Sequence, residues 1–369
     1  MFVTDKILPE LPAPSNAKGI VHWFKTNLFS SPANTLLTLF GIFLLYKILP
    51  PAISWAITDA TWVAETRDTC RGEGKGACWA YIGNRFDQVM YGFYPAEERW
   101  RPNVAGAMLV LLTIPLFFEK TPKKAWLAGF ILIIFPIIAY FLIRGGSFGL
   151  VPVDTNKWGG LMLTLIISLA GIVTALPLGT VLALGRRSSM PIVKSFSVIF
   201  IEFWRGVPLI TVLFMASVML PLFLPEGTDF DKLARAMIGI TLFQAAYVAE
   251  VVRGGLQAIP KGQYEAASAM GLSYWKSMAL IILPQALKLV IPGLVNTFIS
   301  LFKDTTLVLI IGLFDVLAIV EKVLSSDAAW LGFHTEGLVF SAFVFWIFCF
   351  SMSRYSMSLE KKLHTGHKR

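Results

Sequence analysis

Hydrophobic and polar positions along this chain fall into long blocks. Eight apolar runs lie near residues 35–54, 103–119, 125–143, 158–184, 193–223, 234–252, 279–302 and 335–353. A helix needs about 20 predominantly apolar residues to cross hydrocarbon, so each run predicts a membrane span. The expected fold is an all-α polytopic membrane protein with about eight transmembrane helices. A further apolar stretch, 305–324, is interrupted by Gly312, Asp315 and Glu321 and reads as half-buried and re-entrant on the outer side. Two polar blocks stand out: residues 55–102, and a polar island between the sixth and seventh runs. In that island, Tyr264-Glu265-Ala266-Ala267-Ser268-Ala269-Met270 are helix formers that stop at Gly271, with Pro260 and Gly262 just upstream. Proline suits a first helical turn and glycine a helix end, so a short helix is expected between two spans.

Composition supports the membrane class. Hydrophobic residues make up 56% and charged residues 15% of the 369, and mean hydropathy is +0.67. A soluble domain carries about 25% charged residues. The net charge is +9. There is no basic stripe with interleaved aromatics outside the apolar runs, so nucleic acid is excluded as a partner. The surplus instead marks one side of the membrane. With eight spans, Lys6, Lys18, Lys25, Lys120, Lys123, Lys124, Arg186, Arg187, Lys194, Arg253, Lys261, Lys276, Arg354, Lys361, Lys362, Lys368 and Arg369 fall together, on the cytoplasmic side by the positive-inside rule. Both termini are then expected to be cytoplasmic. The other side holds 55–102, with six basic and seven acidic residues, and 225–233, with Glu226, Asp229 and Asp231. Residues 1–34 lack the early apolar core of a signal peptide, so the first run is expected to be a retained span. Cys70 and Cys78 share the 55–102 loop, and a periplasmic setting would favour a disulfide between them.

No catalytic constellation is present. None of His22, His334, His364 and His367 has metal-ligand spacing with a second ligand, so no metal site is expected. No GxxxxGK[ST] phosphate loop exists. The chain is therefore expected not to be an enzyme and to hold no cofactor. In any ATP-driven process, ATP and magnesium would be bound by another polypeptide.

The island's spacing adds a family. Glu265-Ala266-Ala267, then Gly271, Ile281 and Leu283-Pro284, resembles the EAA loop of ABC importer permeases. Ala246 to Glu250, Arg253-Gly254-Gly255, Ile259-Pro260, Gly262-Gln263 and Pro284-Gln285-Ala286 are similar to the polar amino acid branch of that family. So are Arg205-Gly206 with Pro208-Leu209 and Lys303-Asp304-Thr305 with Leu307. The resemblance covers roughly 158–360 and extends to the longer permease of general L-amino-acid importers, whose extra N-terminal spans match residues 1–157. It implies a MetI-like five-helix permease core at 158–369, with a cytoplasmic EAA loop at 253–285. Residues 1–157 would be an accessory region of three spans, including the periplasmic loop 55–102. Implied partners are a dimer of ATP-binding subunits, a periplasmic amino-acid-binding protein, and a second homologous permease, a heterodimer being favoured by the uneven length. The implied location is the bacterial inner membrane and the implied cargo an L-amino acid. Glu265, Ala266, Ala267, Gly271, Leu283 and Pro284 would couple to the ATPase, the two alanines keeping the contact face small.

Ionisable residues inside spans are costly and usually line a cavity or pair with one another. A zwitterionic amino acid needs an acidic and a basic partner or free backbone helix ends. Arg205 with Glu250 is a candidate pair, Lys303-Asp304 a candidate outer gate, and Gly206, Pro208 and Thr211 candidate lining of an unwound segment over 205–211. The alternatives are plain: Arg205 snorkels to the interface, and Lys303-Asp304 only caps a span. The branch often carries threonine where Val207 stands, and glutamine near Thr211-Val212, where there is none. Two other functions compete: an ion-coupled secondary transporter, which should show inverted repeats, and a non-transporting scaffold, which should have no ionisable residues inside its spans.

Overall fold

The computed structural model describes residues 19–118, 120–225 and 230–364. Lys6, Lys18, Glu226, Asp229, His367, Lys368 and Arg369 lie outside them. Among the described residues, seven helices are long and apolar enough to cross a membrane: Pro32–Thr58, Ala96–Phe117, Lys124–Arg144, Gly160–Arg186, Lys232–Ala258, Tyr274–Ile311 and His334–Leu363. An eighth crossing exists only if Pro191–Gly206 and Leu209–Phe223, bent by 100° at their junction, count as one. The run over 193–223 is thus broken, and the break falls inside the segment 205–211 that the sequence marks as unwound. Pro208 has no N–H, and its ring pushes Val207 into extended backbone (φ −103°, ψ 132°). The chain restarts as helix when Thr211 N–H donates to the Pro208 carbonyl at 3.0 Å.

We number the helices used below α1 (Pro32–Ile53), α2 (Trp100–Thr113), α3 (Phe135–Arg144), α4 (Gly160–Arg186), α5 (Pro191–Gly206), α6 (Leu209–Phe214), α7 (Lys232–Ala258), α8 (Lys261–Ala269), α9 (Leu283–Asp304) and α10 (His334–His364).

The chain forms two compact units, Met1–Ala80 and Tyr81–Arg369. In the first, Ser31 caps α1 by accepting from Asn34 N–H at 3.1 Å, and no α1 side chain is buried. The loop beyond α1 is closed by a disulfide between Cys70 and Cys78. Backbone bonds from Thr61 N–H to the Ala77 carbonyl (2.8 Å) and from Ala77 N–H to the Trp55 carbonyl (2.7 Å) hold it.

The second unit begins at Tyr81, well before residue 158. Tyr94 and Ala105 of the N-terminal part, Ile143 of α3 and Val153 share one core with Trp158, Leu163, Leu213, Leu233 and Leu301. The reason is backbone contact through glycine. Gly92 bridges Trp158, while Gly159 and Gly160 bridge Phe314 and Asp315. A Cβ on Gly160 (φ 61°) would lie 2.2 Å from the Val89 carbonyl oxygen. Buried Arg101 of α2 donates to the Val151 carbonyl at 2.6 Å and pairs with Glu98 at 2.7 Å. Trp158 and Trp330, which lie near predicted span ends as interface anchors would, are only 3% and 4% exposed.

A second core, further along α4, gathers Ala175, Leu182, Ile201, Val248, Leu256, Ile282 and Ala286. Here α4 and α7 approach closely, since a Cβ on Gly179 would sit 2.6 Å from the Val248 side chain. Small residues permit such contact between membrane helices. Gln244 of α7 donates across to the Thr297 carbonyl of α9 at 2.8 Å. Segment 305–324 is a run of short 3₁₀, strand and π turns, with Val308, Ile311, Val316 and Ile319 buried.

Candidate coupling site and charge cluster

The polar island forms α8. Its C-terminus is a Schellman motif: Gly271 lies at φ 71°, Gly271 N–H donates to the Ser268 carbonyl at 2.9 Å, and Leu272 N–H to the Ala267 carbonyl at 3.2 Å. The next short helix, Tyr274–Ser277, runs through a π turn, Met278–Ile282, into α9. Pro284 cannot donate to the turn before it, which is where a π turn is expected. Leu283 and Pro284 therefore open α9.

The two faces of α8 differ. Glu265 and Ala266 are exposed; Ala267 is fully buried. Only Ala266 of the expected alanine pair is on the outer face, because residue 267 sits one notch further round a 3.6-residue turn and packs inward. The inner side is tethered twice. Tyr264 hydroxyl donates to the Leu256 carbonyl at 3.0 Å, and Gln285 Nε2 donates to Gln263 Oε1 at 3.1 Å. Arg187, which caps α4, donates from Nη1 to the Leu256 carbonyl at 2.6 Å and to the Tyr264 hydroxyl at 2.9 Å. Its guanidinium lies 5.4 Å from the centre of the Tyr264 ring. A cleft of about 410 Å³ opens behind α8, between Leu184, Tyr264, Leu272 and Met278.

Beside this junction is a charge cluster at the same end of α4, α5 and α7. Glu250 pairs with Arg253 at 2.9 Å, Arg186 at 2.9 Å and Arg205 at 3.6 Å. Arg186 also pairs with Glu202 at 2.8 Å. Arg205 lies 5.8 Å from the centre of the Tyr247 ring. Arg205 and Glu250 do meet, as a substrate pair would require, but as members of a five-residue network. With three guanidiniums upon it and 17% exposure, the Glu250 carboxylate is already neutralised. Glu250 lies just over two turns from the end of α7, where Arg186 of α4 and Arg205 of α5 converge on it.

Gly206, Pro208 and Thr211 line the exposed side of the α5–α6 break, while Leu209, Val212 and Leu213 face the core. Lys303 and Asp304 end α9 far from the cluster. Lys303 is exposed and Asp304 half-buried, and the two form no ion pair among the described residues. Arg187, Tyr264, Gln263 and Gln285 had no site role assigned from the sequence, although Gln263 and Gln285 belong to the motifs of the resemblance and Tyr264 and Arg187 to the island and the basic loop.

Residues 175–365 match the family described as the binding-protein-dependent transport system inner membrane component. This chain belongs to that family. It is a multi-span membrane permease, a transport component. It is 57% identical over 358 residues to the inner membrane amino-acid ABC transporter permease protein YhdY of Escherichia coli strain K12, covering 97% of each chain. It is 43% identical over 434 residues to the glutamate/glutamine/aspartate/asparagine transport system permease protein BztC of Rhodobacter capsulatus, covering 100% of this chain and 99% of that one. A crystal structure of an amino acid ABC transporter with histidines matches 55% of this permease and 92% of its own chain, at 28% identity and a TM-score of 0.48. Family membership displaces the secondary-transporter and scaffold readings.

Proposed function

We propose that this permease carries L-amino acids inward through the inner membrane as one half of an ATP-driven importer, with α8 as the dock for a separate ATPase dimer. The observation that carries the proposal is the two-faced construction of α8. Glu265 and Ala266 are free to meet a partner, while Gln263, Tyr264 and Ala267 tie the helix to α4, α7 and α9. A partner gripping the outer face would move the attached helix ends as a rigid lever. The ATPase binds ATP and magnesium; this chain hydrolyses nothing. The basic loops and α8 face the cytoplasm with both termini, and a periplasmic binding protein delivers cargo to the other side. The close similarity to YhdY and BztC over nearly the full chain supports amino acids as cargo. A second, homologous permease supplies the other half, and the exposed break at Gly206, Pro208 and Thr211, with Lys303 and Asp304, lines the route between them. The neutralised Glu250 cluster is then a structural tie at the inner end, with unwound backbone at the break as the polar contact.

The test is ATP hydrolysis by the reconstituted complex, with and without amino-acid-loaded binding protein. Glu265→Lys is expected to weaken ATPase association and abolish stimulation. Unchanged stimulation would remove α8 from its role.

A further inference from the structure

Two adjacent arginines end α4, and they point to different neighbours. Arg186 enters the charge cluster, pairing with Glu202 of α5 at 2.8 Å and Glu250 of α7 at 2.9 Å. Arg187 serves α8. Its Nη1 donates both to the Leu256 carbonyl and to the Tyr264 hydroxyl, and its plane lies near the Tyr264 ring. Leu256 is in the last turn of α7, whose carbonyls have no helical partner. With the Tyr264 hydroxyl donating to it as well, that carbonyl accepts from two elements at once. One guanidinium therefore joins the end of α4, the end of α7 and the middle of α8. The preceding residue, Arg186, joins α4 to α5 at Glu202, about one turn from the 100° break.

We propose that Arg187 is a positioning residue that couples α8 to the broken span, through the Arg186–Arg187 junction. This rests on α8 being the ATPase dock. A displacement of α8 carries Tyr264, and with it the α4 and α7 ends. Arg186 then drags Glu202 and α5 towards or away from the break at Val207-Pro208. Lysine cannot replace Arg187, because an ammonium has neither the planar fork nor the flat face that meets the ring. Arg187 is largely exposed outside these contacts, so its replacement leaves both cores intact.

The experiment compares the native complex with Arg187→Ala, Arg187→Lys, Tyr264→Leu and the double variant Arg187→Ala/Tyr264→Leu. Basal ATP hydrolysis, hydrolysis stimulated by loaded binding protein, and amino acid taken up per ATP are measured in proteoliposomes. Hydrogen exchange across residues 261–269 is followed in the same complexes. Arg187→Ala is expected to assemble and to keep basal hydrolysis, while uptake per ATP falls about tenfold, the size of a typical coupling between sites. Amides of α8 should exchange faster while those of 175–183 do not change. Arg187→Lys should resemble Arg187→Ala, and in uptake per ATP the double variant should be no worse than either single one, because each breaks the same link between α8 and α4. Native uptake per ATP and native exchange in Arg187→Ala would overturn the proposal. So would full rescue by lysine, which would reduce the residue to a charge. If the native complex itself shows no stimulation by the binding protein, it is the importer reading that fails. If the native complex is stimulated and Arg187→Ala behaves identically, the coupling role alone fails.

Discussion

Asp315 shows how far a single side chain depends on its surroundings. It is fully buried between the spans, with Oδ1 accepting from Ala318 N–H at 2.9 Å and Oδ2 lacking a partner among the described residues. Burial pushes its carboxyl up to about 6, although the Ala318 and Leu317 N–H groups pull the other way. A carboxyl raised on folding contributes stability that is complete below its unfolded value near 4 and is lost as pH rises through about 6. Asp315→Asn should therefore flatten the fall in thermal stability of the detergent-solubilised chain between pH 4 and 7, a change of about 3 kcal/mol at most. A melting curve of the variant that keeps the native pH slope would remove Asp315 as its source. Sequence alone marked Asp315 only as an interruption of an apolar stretch, since its burial depends on Gly160 pairing with it across the chain. Glu250 illustrates the same limit. An ionisable residue in a span announces itself, but its three partners come from three places in the sequence.

Among the elements, α5–α6 and α8 were the most legible. A proline after a glycine, in a run otherwise fit to span, locates the break at Val207-Pro208 through local backbone sterics alone. Pro208→Ala restores the missing N–H and releases Val207, so the helix can run on through 207 and 208. Expression should be retained while amino acid uptake into vesicles falls, and a cysteine placed at Thr211 should lose reactivity towards an aqueous thiol reagent. Unchanged uptake would mean that the break is not needed for transport. The bend of 100° itself was not legible, because its size is set by packing of Leu209, Val212 and Leu213 into the core. For α8, helix formers and Gly271 located both ends, yet which alanine faces outward follows from how the helix is tethered.

At the scale of the whole second unit, residues from 81 onward and the family-matched region share a core through glycine contacts. Gly160→Ala would place a methyl 2.2 Å from the Val89 carbonyl oxygen at a φ of 61°. That combination of clash and backbone strain should cost about 2 kcal/mol or more and lower the melting temperature and yield. Gly206→Ala has nothing within 4 Å of the new Cβ and no positive φ, so it serves as the control and should melt as the native chain does. Equal stability of the two variants would contradict the close approach of 89–92 to 159–160.

The apolar blocks, the one-sided lysines and arginines and the EAA spacing determined the membrane class, the span positions to within about ten residues at their ends and the place of α8. Each of these rests on local properties: hydropathy over a span's length, helix-end chemistry and proline sterics. Tertiary structure alone decided that residues 81–157 belong with the core, that Glu250 is spent on three arginines, and that Arg187 joins α4, α7 and α8. These depend on contacts between residues far apart in the chain, through single carbonyls and glycine backbones, and no pattern within one segment encodes them.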